Sequence, residues 1–442
     1  MQTELIDHVT KEISALQVVR RLGRVAATDG GSILVSGLAD VARLGDQVKI
    51  TRTNAGILPG EVIQIEGAHI TIMPDGEMSG LSLGDRVFLR DPLSVAPCDA
   101  WLGRVIDANA KPLDGRALRK GANHRPLRAG PPPAAKRRGF GARISTGSSA
   151  LNTVLPIVRG QRVGLFAGSG VGKSSQLATL VQNMDCDVVV VALVGERGRE
   201  LRHFTQDVLG ANGMEKCVVV AATSDRSALE RRRCAWTAMS IAEHFRDAGK
   251  SVLFIADSIT RFAEAHREIA SAAGEVPVLR GHPPSTAQLI TELCERAGPG
   301  LEGTGDITAV LSVLVQGSDM EEPIADILRG VLDGHIVLDR AIAERGRYPA
   351  INLLQSVSRS LPGAATEEEL EIINKVRHLT SVYEQNIMMI RTGLYTEGTD
   401  PELDSAVKIW AEIDSFLGVC GDISPEQCFD RLKLTLRRAG LR

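Results

Sequence analysis

A glycine-rich stretch at residues 164–175 constrains the fold of this 442-residue chain more than any other segment; it reads Gly-Leu-Phe-Ala-Gly-Ser-Gly-Val-Gly-Lys-Ser-Ser. A short apolar run at 163–166, suited to a strand, leads into it, and residues 176–181 continue as a plausible helix. Strand, glycine turn and helix in this order place backbone N–H groups and the positive end of a helix dipole around an anion. The stretch therefore predicts a loop that wraps a phosphate chain, at the carboxyl edge of a sheet.

Individual side chains in this loop have distinct expected roles. Lys173 is suited to the β- and γ-phosphates and the Ser174 hydroxyl to a magnesium ion, while the glycines let the backbone approach the ligand. Ala167 stands where the usual pattern has its first glycine, so a glycine-rich turn that binds no ligand is the alternative. The residues predicted to surround the nucleotide are Ala167, Gly168, Ser169, Gly170, Val171, Gly172, Lys173, Ser174 and Ser175.

The segment around the loop alternates between apolar strand candidates and helical patterns, which predicts a doubly wound, largely parallel sheet. Ligands of such sheets bind at the carboxyl ends of the strands, where the glycine loop falls. The strand candidates are 163–166, 188–194, 218–221, 251–256, 307–315 and 335–338, and the helix candidates include 174–184, 199–209, 228–248 and 285–296.

The segments on either side of this alternation have different patterns. Residues 4–20 fit one amphipathic helix. Short β-type runs separated by glycine, asparagine and aspartate turns fill residues 23–95, which predicts a small β-barrel or sandwich. After Pro362 the helix signals dominate, and Asp400-Pro401 is a plausible helix start with proline at the first helical position.

A basic segment at 116–143 separates the first two patterns, and we interpret it as an extended, solvated linker. Within it, Lys136-Arg137-Arg138 could contact an acidic partner or nucleic acid, although a solvated basic linker is the preferred interpretation. The expected domains are an N-terminal helix at 1–20, a β-barrel at 21–95, a nucleotide-binding α/β domain that includes the linker at 96–365, and a helical domain at 366–442.

Composition narrows the class of protein. A net charge of −3 and an aromatic content of 3% argue against general nucleic-acid binding. The seven cysteines are scattered without Cys-x-x-Cys spacing, which favours reduced thiols in the cytoplasm. No apolar run reaches the roughly 18 residues that a membrane span needs. Any membrane association is therefore expected to be peripheral or through partners.

Hydrolysis of a nucleotide also needs a carboxylate near the metal, a group that directs the attacking water, and a cation near the transferred phosphoryl group. Asp257 ends an apolar run, as a metal-binding carboxylate requires, although an aspartate that only caps the next helix would look the same. Glu196 also follows an apolar run and could polarise water, or it could pair with Arg197 or Arg199 at the surface. Arg359 lies beyond the last predicted strand and could reach the nucleotide of a neighbouring subunit.

Longer motifs carry a resemblance to a known family. They are Leu102-Gly-Arg-Val-Ile-Asp with Pro112-Leu-Asp-Gly, Gly160-Gln-Arg-Val-Gly continuing into the glycine loop, Asp257-Ser-Ile-Thr-Arg-Phe-Ala, Arg267-Glu-Ile, Gly281-His-Pro-Pro-Ser, Glu295-Arg-Ala-Gly, Asp333-Gly-His-Ile-Val-Leu-Asp-Arg, and Tyr348-Pro-Ala-Ile-Asn with Ser358-Arg359. From about residue 22 to its end, the chain resembles the ATPases of type III protein export, most closely the flagellar one. These ATPases are similar to the catalytic subunit of rotary ATP synthases. The resemblance implies an α/β RecA-like P-loop ATPase core, an N-terminal β-barrel and a C-terminal helical domain.

The resemblance also implies roles for the residues of the nucleotide site. It assigns Lys173 to the phosphates, Ser174 and Asp257 to magnesium, and Glu196 to the orientation of the attacking water. The loop sequence that begins with Ala167 is the form that these export ATPases use.

Further roles implied by the resemblance concern arginines and an aromatic side chain. Arg197 and Arg261 belong to the polar shell, Arg359 matches the arginine finger given to the adjacent subunit's site, and Tyr348 matches an aromatic that stacks near adenine. The chain departs from the family at His282, where tyrosine is usual, and after Phe416-Leu417, where Gly418-Val419 replaces a common glutamine.

The implied function is an ATPase that uses ATP and Mg²⁺, assembles as a homohexamer, and energises type III protein export. Its implied partners are export chaperones and their substrates, and stalk and regulatory proteins of the export apparatus, with no nucleic acid. It is expected in the cytoplasm and, through partners, peripherally at the cytoplasmic face of the membrane. The alternatives are the ATPase of a non-flagellar type III secretion system (injectisome), a rotary ATP synthase subunit, a Rho-like RNA translocase, and a non-catalytic nucleotide-binding scaffold.

Two observations weigh between these alternatives. Subunits of rotary synthases obtain the finger from a non-catalytic partner, whereas this chain carries Lys173, Glu196 and Arg359 together. An RNA translocase is disfavoured by the acidic balance and by a content of only three tryptophans and three tyrosines. The flagellar and injectisome ATPases share all of the motifs, so the sequence leaves both open.

Overall fold

The computed structural model describes residues 21–438 apart from residues 54, 279 and 316–319. The helix expected at 4–20 therefore lies outside the described residues. The described chain forms two compact units. No helix in the described part of the chain is both long enough and apolar enough to cross a membrane.

The first unit comprises the described N-terminal residues up to Leu93 and two short segments, 227–229 and 268–276. Its six strands close into an antiparallel barrel in the order β1-β2-β5-β4-β3-β6. Alternate side chains point inward, so that Ile33 and Val35 of one strand are fully buried. Of the two sheet architectures predicted from the sequence, the barrel is confirmed. The strands are β1 Gly23–Asp29, β2 Ser32–Ser36, β3 Gln47–Arg52, β4 Gly56–Glu66, β5 His69–Pro74 and β6 Arg86–Arg90.

The second unit is built on a nine-stranded sheet. Its strands are β8 Arg104–Asp107, β10 Arg162–Ala167, β11 Val188–Glu196, β12 Cys217–Thr223, β13 Ser251–Asp257, β14 Gly298–Pro299, β15 Asp306–Leu314, β16 Gly334–Leu338 and β17 Ile351–Ser358, while β7 Ser94–Val95 pairs separately with β9 Arg125–Pro126.

The order of strands in this sheet is β17-β16-β10-β15-β13-β11-β12-β8, with β14 paired to β15. All neighbours are parallel except the pairs β16–β17 and β14–β15. Because helices cover both faces of such a sheet, its central strands are continuous apolar runs, and β11 is buried along its length up to Gly195. The predicted parallel α/β core is confirmed, and β17 is an additional strand that sequence analysis did not recognise.

The helices that come after the barrel strands in the chain follow the expected alternation and then form the C-terminal region. They are α1 Ser149–Asn152, α2 Lys173–Asn183, α3 Gly198–Arg202, α4 Gly210–Glu215, α5 Ala228–Asp247, α6 Ile259–Ala272, α7 Ser285–Arg296, α8 Pro323–Val331, α9 Arg340–Glu344, α10 Glu367–Gln385, α11 Ile387–Arg391, α12 Pro401–Leu417 and α13 Pro425–Arg438, with a π-helical turn at His203–Val208 and 3₁₀ turns at Asp99–Trp101 and Ala134–Lys136.

The C-terminal helices begin at clear sequence signals. Thr366 and Glu369 form a capping box at the start of α10, in which each side chain accepts a hydrogen bond from the other residue's backbone N–H. The Asp400 side chain accepts from the backbone N–H groups of Glu402 and Leu403, with Pro401 at the first helical position of α12. The predicted helix start at Asp400-Pro401 is confirmed.

Two arginines of the basic linker contact other residues of the second unit. Arg137 forms an ion pair with Glu295 at 3.4 Å between Nη1 and Oε2, and Arg138 donates to the carbonyl oxygens of Thr304 and Gly305 at 2.7 and 2.8 Å. These side chains anchor the linker because each finds acceptors on the folded unit. Most of residues 131–142 are exposed, as a solvated linker predicts, whereas Arg137 and Arg138 are engaged by acceptors of the same chain.

Candidate active site

The glycine loop connects β10 to α2 at the carboxyl edge of the sheet. Gly170 and Gly172 have φ angles of +76° and +87°, a region that residues with a Cβ rarely adopt. Gly172 is the N-cap of α2, and its carbonyl accepts from the backbone N–H of Gln176 at 3.0 Å. The loop therefore turns directly into a helix whose N-terminal end faces the turn, as an anion site requires.

Three residues predicted from separate parts of the sequence meet beside this loop. The Lys173 ammonium group donates to Asp257 Oδ1 and lies 3.8 Å from Glu196 Oε1. Lys173 belongs to α2, whereas Asp257 and Glu196 end β13 and β11, and these two strands are neighbours. The carboxyl ends of parallel strands share one edge of the sheet, which brings both carboxylates within reach of one lysine.

Asp257 has a second partner that sequence analysis missed. The Ser312 hydroxyl, on the intervening strand β15, donates to Asp257 Oδ1 at 2.6 Å. Both side chains are buried. The only sequence signal for Ser312 is a hydroxyl within an apolar strand, which is too common a pattern to indicate function by itself.

Glu196 has an environment that favours its neutral form. Burial, a hydrogen bond with the Glu200 side chain and the nearby charge of Asp257 raise the pKa of Glu196 to about 8, while Lys173 opposes the shift. The same hydrogen bond lowers the pKa of Glu200. The surroundings of Glu196 therefore favour its protonated form, and its hydrogen-bond partner is Glu200, a residue that sequence analysis did not select.

The backbone in front of Glu196 is distorted. The pairing of β11 with β12 shifts register between Val194 and Glu196, and Gly195 between them has a φ of +69°. A Cβ on Gly195 would lie 3.3 Å from the Arg261 side chain. This irregularity changes the direction of the strand at the point where Glu196 leaves it.

The two arginines expected in the polar shell lie in different surroundings. Arg261 packs its aliphatic part over Gly195 and forms an ion pair with Glu264 at 3.0 Å, which places it beside Glu196. Arg197 is exposed at the N-cap of α3, and its charge helps to lower the pKa of Glu200.

Tyr348 lies against the glycine loop. A Cβ on Gly172 would come within 3.0 and 3.1 Å of Cδ1 and Cε1 of the Tyr348 ring. The ring is half exposed, so one face remains open for a planar ligand. Gly418 lies against the backbone of the same residue, because a Cβ there would be 3.3 Å from the Tyr348 carbonyl oxygen. The departure at Gly418 therefore adjoins the segment that carries Tyr348.

Arg359 lies at the opposite edge of the sheet. Strand β17 is antiparallel to β16, with Ser358 opposite Gly334, so β17 ends where the parallel strands begin. The Arg359 backbone N–H donates to the Asp333 carbonyl at 3.0 Å. Strand β10 has six residues, and at ~3.3 Å per residue this separates the two edges by ~20 Å. Arg359 is thus remote from the glycine loop of its own chain.

Oxygen ligands suited to Mg²⁺ are present at the carboxyl edge. The Ser174 hydroxyl is exposed next to Lys173, and Asp257 supplies a carboxylate. Hydroxyl, carboxylate and phosphate oxygens are the ligands that Mg²⁺ prefers. The residues therefore fit a magnesium ion bound together with a nucleotide.

Two family models match the chain. The nucleotide-binding domain of the ATP synthase alpha/beta family matches residues 147–358, which include all of the site residues described above except Gly418 and Arg359. The C-terminal domain of the type III secretion ATPase EscN matches residues 365–419.

Curated relatives align over most of the chain. A flagellum-specific ATP synthase of Caulobacter vibrioides is 45% identical over 402 residues, which is 89% of this chain and 90% of the relative. The protein of the same name from Salmonella typhimurium is 40% identical over 425 residues, which is 93% of this chain and 92% of the relative.

Solved structures agree with these sequence relatives. The assembled ATPase EscN of the enteropathogenic E. coli type III secretion system superimposes with a TM-score of 0.87 at 36% identity, covering 94% of this chain and all of EscN. EscN in complex with its central stalk EscO gives a TM-score of 0.84 with the same identity and coverage.

Proposed function

The chain belongs to the family of the flagellum-specific ATP synthases, and we propose from this that it is an ATPase that energises type III protein export through the flagellar apparatus. The convergence of Lys173, Asp257 and Glu196 beside the glycine loop is the observation that carries the chemistry. The EscN likeness supports the injectisome as the second candidate system. The two systems use the same reaction, so they differ in partners rather than in the site.

The residues of one subunit supply most of the reaction. The loop and Lys173 would hold the β- and γ-phosphates. Ser174 and Asp257 would hold a magnesium ion, which would neutralise charge on the phosphates. Lys173 contacts Asp257, so the phosphate-binding and metal-binding side chains belong to one site. Glu196 would then orient water for in-line attack in its deprotonated form, after its proton has passed to solvent.

A neighbouring subunit completes the site. Arg359 lies ~20 Å from its own glycine loop by the strand spacing, so it can stabilise the transferred phosphoryl group only in another subunit. The assembled state of EscN supports an oligomer, and we infer a homohexamer for this chain. An arginine finger contributes on the order of 10³–10⁵ in rate. Activity should therefore rise with assembly.

Mixed rings test this arrangement. Subunits with Glu196→Ala keep the finger but lack the water-directing group, and subunits with Arg359→Ala have the reverse defect. Each variant alone should be inactive, whereas rings assembled from both should regain ATPase activity at interfaces that combine the two intact groups. Absence of recovery in rings whose mixed composition is verified by native mass spectrometry would contradict a shared site.

The proposed partners follow from the family. EscN is known with a central stalk, EscO, and we infer a stalk protein, export chaperones and their substrates for this chain, with no nucleic acid. We infer a cytoplasmic protein that reaches the cytoplasmic face of the membrane through these partners. Deletion of the gene should abolish flagellar filaments. Intact filaments together with loss of effector secretion would assign the chain to an injectisome instead.

A further inference from the structure

The placement of the Arg359 side chain depends on a short segment of its own subunit. Its backbone N–H donates to the Asp333 carbonyl at 3.0 Å. Its guanidinium group donates to the carbonyl oxygens of Leu332 and Arg329 at 3.0 and 3.1 Å. These two carbonyls lie at the C-terminal end of α8, where helical carbonyls lack intrahelical partners. Any displacement of residues 329–333 would therefore displace Arg359.

Asp333 fastens this segment to the start of β10. Its carboxylate accepts from Nε and Nη2 of Arg162 at 2.9 and 3.1 Å and from the Arg162 backbone N–H at 3.0 Å. In return, the Asp333 backbone N–H donates to the Arg162 carbonyl at 2.9 Å. The carboxylates of Asp333 and Glu295 raise the pKa of Arg162, although burial of the guanidinium group opposes this shift. A two-pronged arginine–carboxylate pair fixes geometry more strictly than a single hydrogen bond.

The Asp333–Arg162 ion pair belongs to a larger network in which acidic and basic side chains alternate. Arg162 Nη1 also donates to Glu295 Oε1 at 2.5 Å, and Glu295 is held from its other side by Arg137 of the basic linker. On the strand side, a Cβ on Gly334 would lie 2.7 Å from the Val357 carbonyl oxygen, so β16 and β17 approach closely just before Arg359. The segment is therefore fixed both by charge and by close backbone packing.

We infer that Asp333 is a positioning residue for the arginine finger, and that it acts through the Asp333–Arg162 pair rather than by contact with ATP. The inference rests on the proposed function, in which Arg359 completes the neighbouring site. Asp333 lies at the edge of the sheet opposite its own glycine loop. Its effect on hydrolysis should consequently appear at the interface to which its subunit donates the finger.

The mixed-ring assay separates this role from a general structural role. Rings of Asp333→Asn subunits should show a kcat lowered about 10- to 100-fold, because a displacement of ~1 Å near the reacting groups can cost ~10²-fold, with KM for ATP changed less than about two-fold. In mixed rings, Asp333→Asn added to the Glu196→Ala subunits, which donate the finger, should lower the recovered activity by the same factor of about 10- to 100-fold. The same change in the Arg359→Ala subunits should leave the recovery intact.

Controls and a second variant keep the result decisive. Asp185→Asn is the matched control. Asp185 forms an ion pair with Arg159, which lies just before strand β10, and it contacts neither Asp333 nor Arg359. This variant should leave kcat unchanged. If Asp333→Asn rings do not assemble, Arg162→Lys keeps the positive charge but loses the two-pronged contact, and it should give the same pattern.

Two results would overturn the inference: a wild-type kcat in Asp333→Asn rings, or equal losses from the change in either kind of subunit. Activity in Arg359→Ala rings would instead contradict the shared site itself, and with it the proposed function of Arg359.

Discussion

Replacement of Glu196 by glutamine should stabilise the protein at alkaline pH while it abolishes turnover. The pKa of Glu196 is raised from its ordinary 4.5 to about 8, chiefly by burial, so the folded state binds this proton more tightly than the unfolded chain does. The stability that this proton confers is complete below about pH 4.5 and is lost as pH rises through about 8. Above pH 8 the folded protein holds a buried charge that glutamine lacks.

The magnitude follows from the size of the shift. A change of this size corresponds to about 5 kcal/mol at ~1.4 kcal/mol per pH unit. Because the side chain is partly exposed, solvent screening reduces this value, and we expect about 2 kcal/mol, or roughly 3 °C in Tm for a unit of this size. Thermal unfolding without nucleotide, followed from pH 5.5 to 9, measures this directly.

The comparison needs a matched variant and has a clear refutation. Glu264→Gln removes a carboxylate from the nearby surface pair with Arg261 and should retain the wild-type dependence of Tm on pH. The Glu196→Gln protein should lose most of the decline in Tm that the wild type shows between pH 6 and 9. Parallel curves for wild type and Glu196→Gln, or a less stable variant at pH 9, would refute the assignment of a neutral Glu196.

Three further predictions concern other parts of the second unit. Lys173→Ala should abolish both turnover and the rise in Tm on addition of Mg-ATP, because it removes the charge nearest the phosphates; a retained rise in Tm would contradict this. Gly172→Ala should lower stability by about 1–2 kcal/mol and weaken nucleotide binding, because the φ of Gly172 is positive and a Cβ there would crowd Tyr348. Gly168→Ala is the control, since Gly168 has neither a positive φ nor a close neighbour. In chemical unfolding, the Gly168 variant should show the smaller loss of stability. Thr366→Ala should cost about 1 kcal/mol by removing the cap of α10, visible as a lower midpoint in denaturant without a change in KM.

The parts of the site that sequence reasoning found are those fixed by local pattern. A strand followed by a glycine turn is a short-range signal, and so is a carboxylate that ends an apolar run. Lys173 and Asp257 are 84 residues apart in the chain, yet parallel topology brings them together because the strands end at one edge. The prediction that the parallel strands end at one edge of the sheet was therefore sufficient to place Lys173 and Asp257 in the same site.

The parts that it missed depend on packing between distant segments. Ser312 looks like any hydroxyl in a buried strand until β15 is seen to separate β10 from β13. The apolar residues of β17 were not recognised as a strand, so the distance of Arg359 from its own loop could not be derived from the sequence. The arginines of the linker find their acceptors more than 150 residues away, a pairing that no local pattern encodes.

The location of Arg359 opposite the glycine loop gives each subunit a direction. If Arg359 acts at the site of the next subunit, as proposed, one face of each subunit carries the glycine loop and another carries the arginine for its neighbour, so the contact between subunits would be head to tail rather than two-fold symmetric. An open row of such subunits always leaves one site without an arginine, whereas a closed ring leaves none. If Arg359 acts as proposed, turnover per subunit would report ring closure, and a single subunit would hydrolyse ATP on the order of 10³–10⁵-fold more slowly than an assembled one.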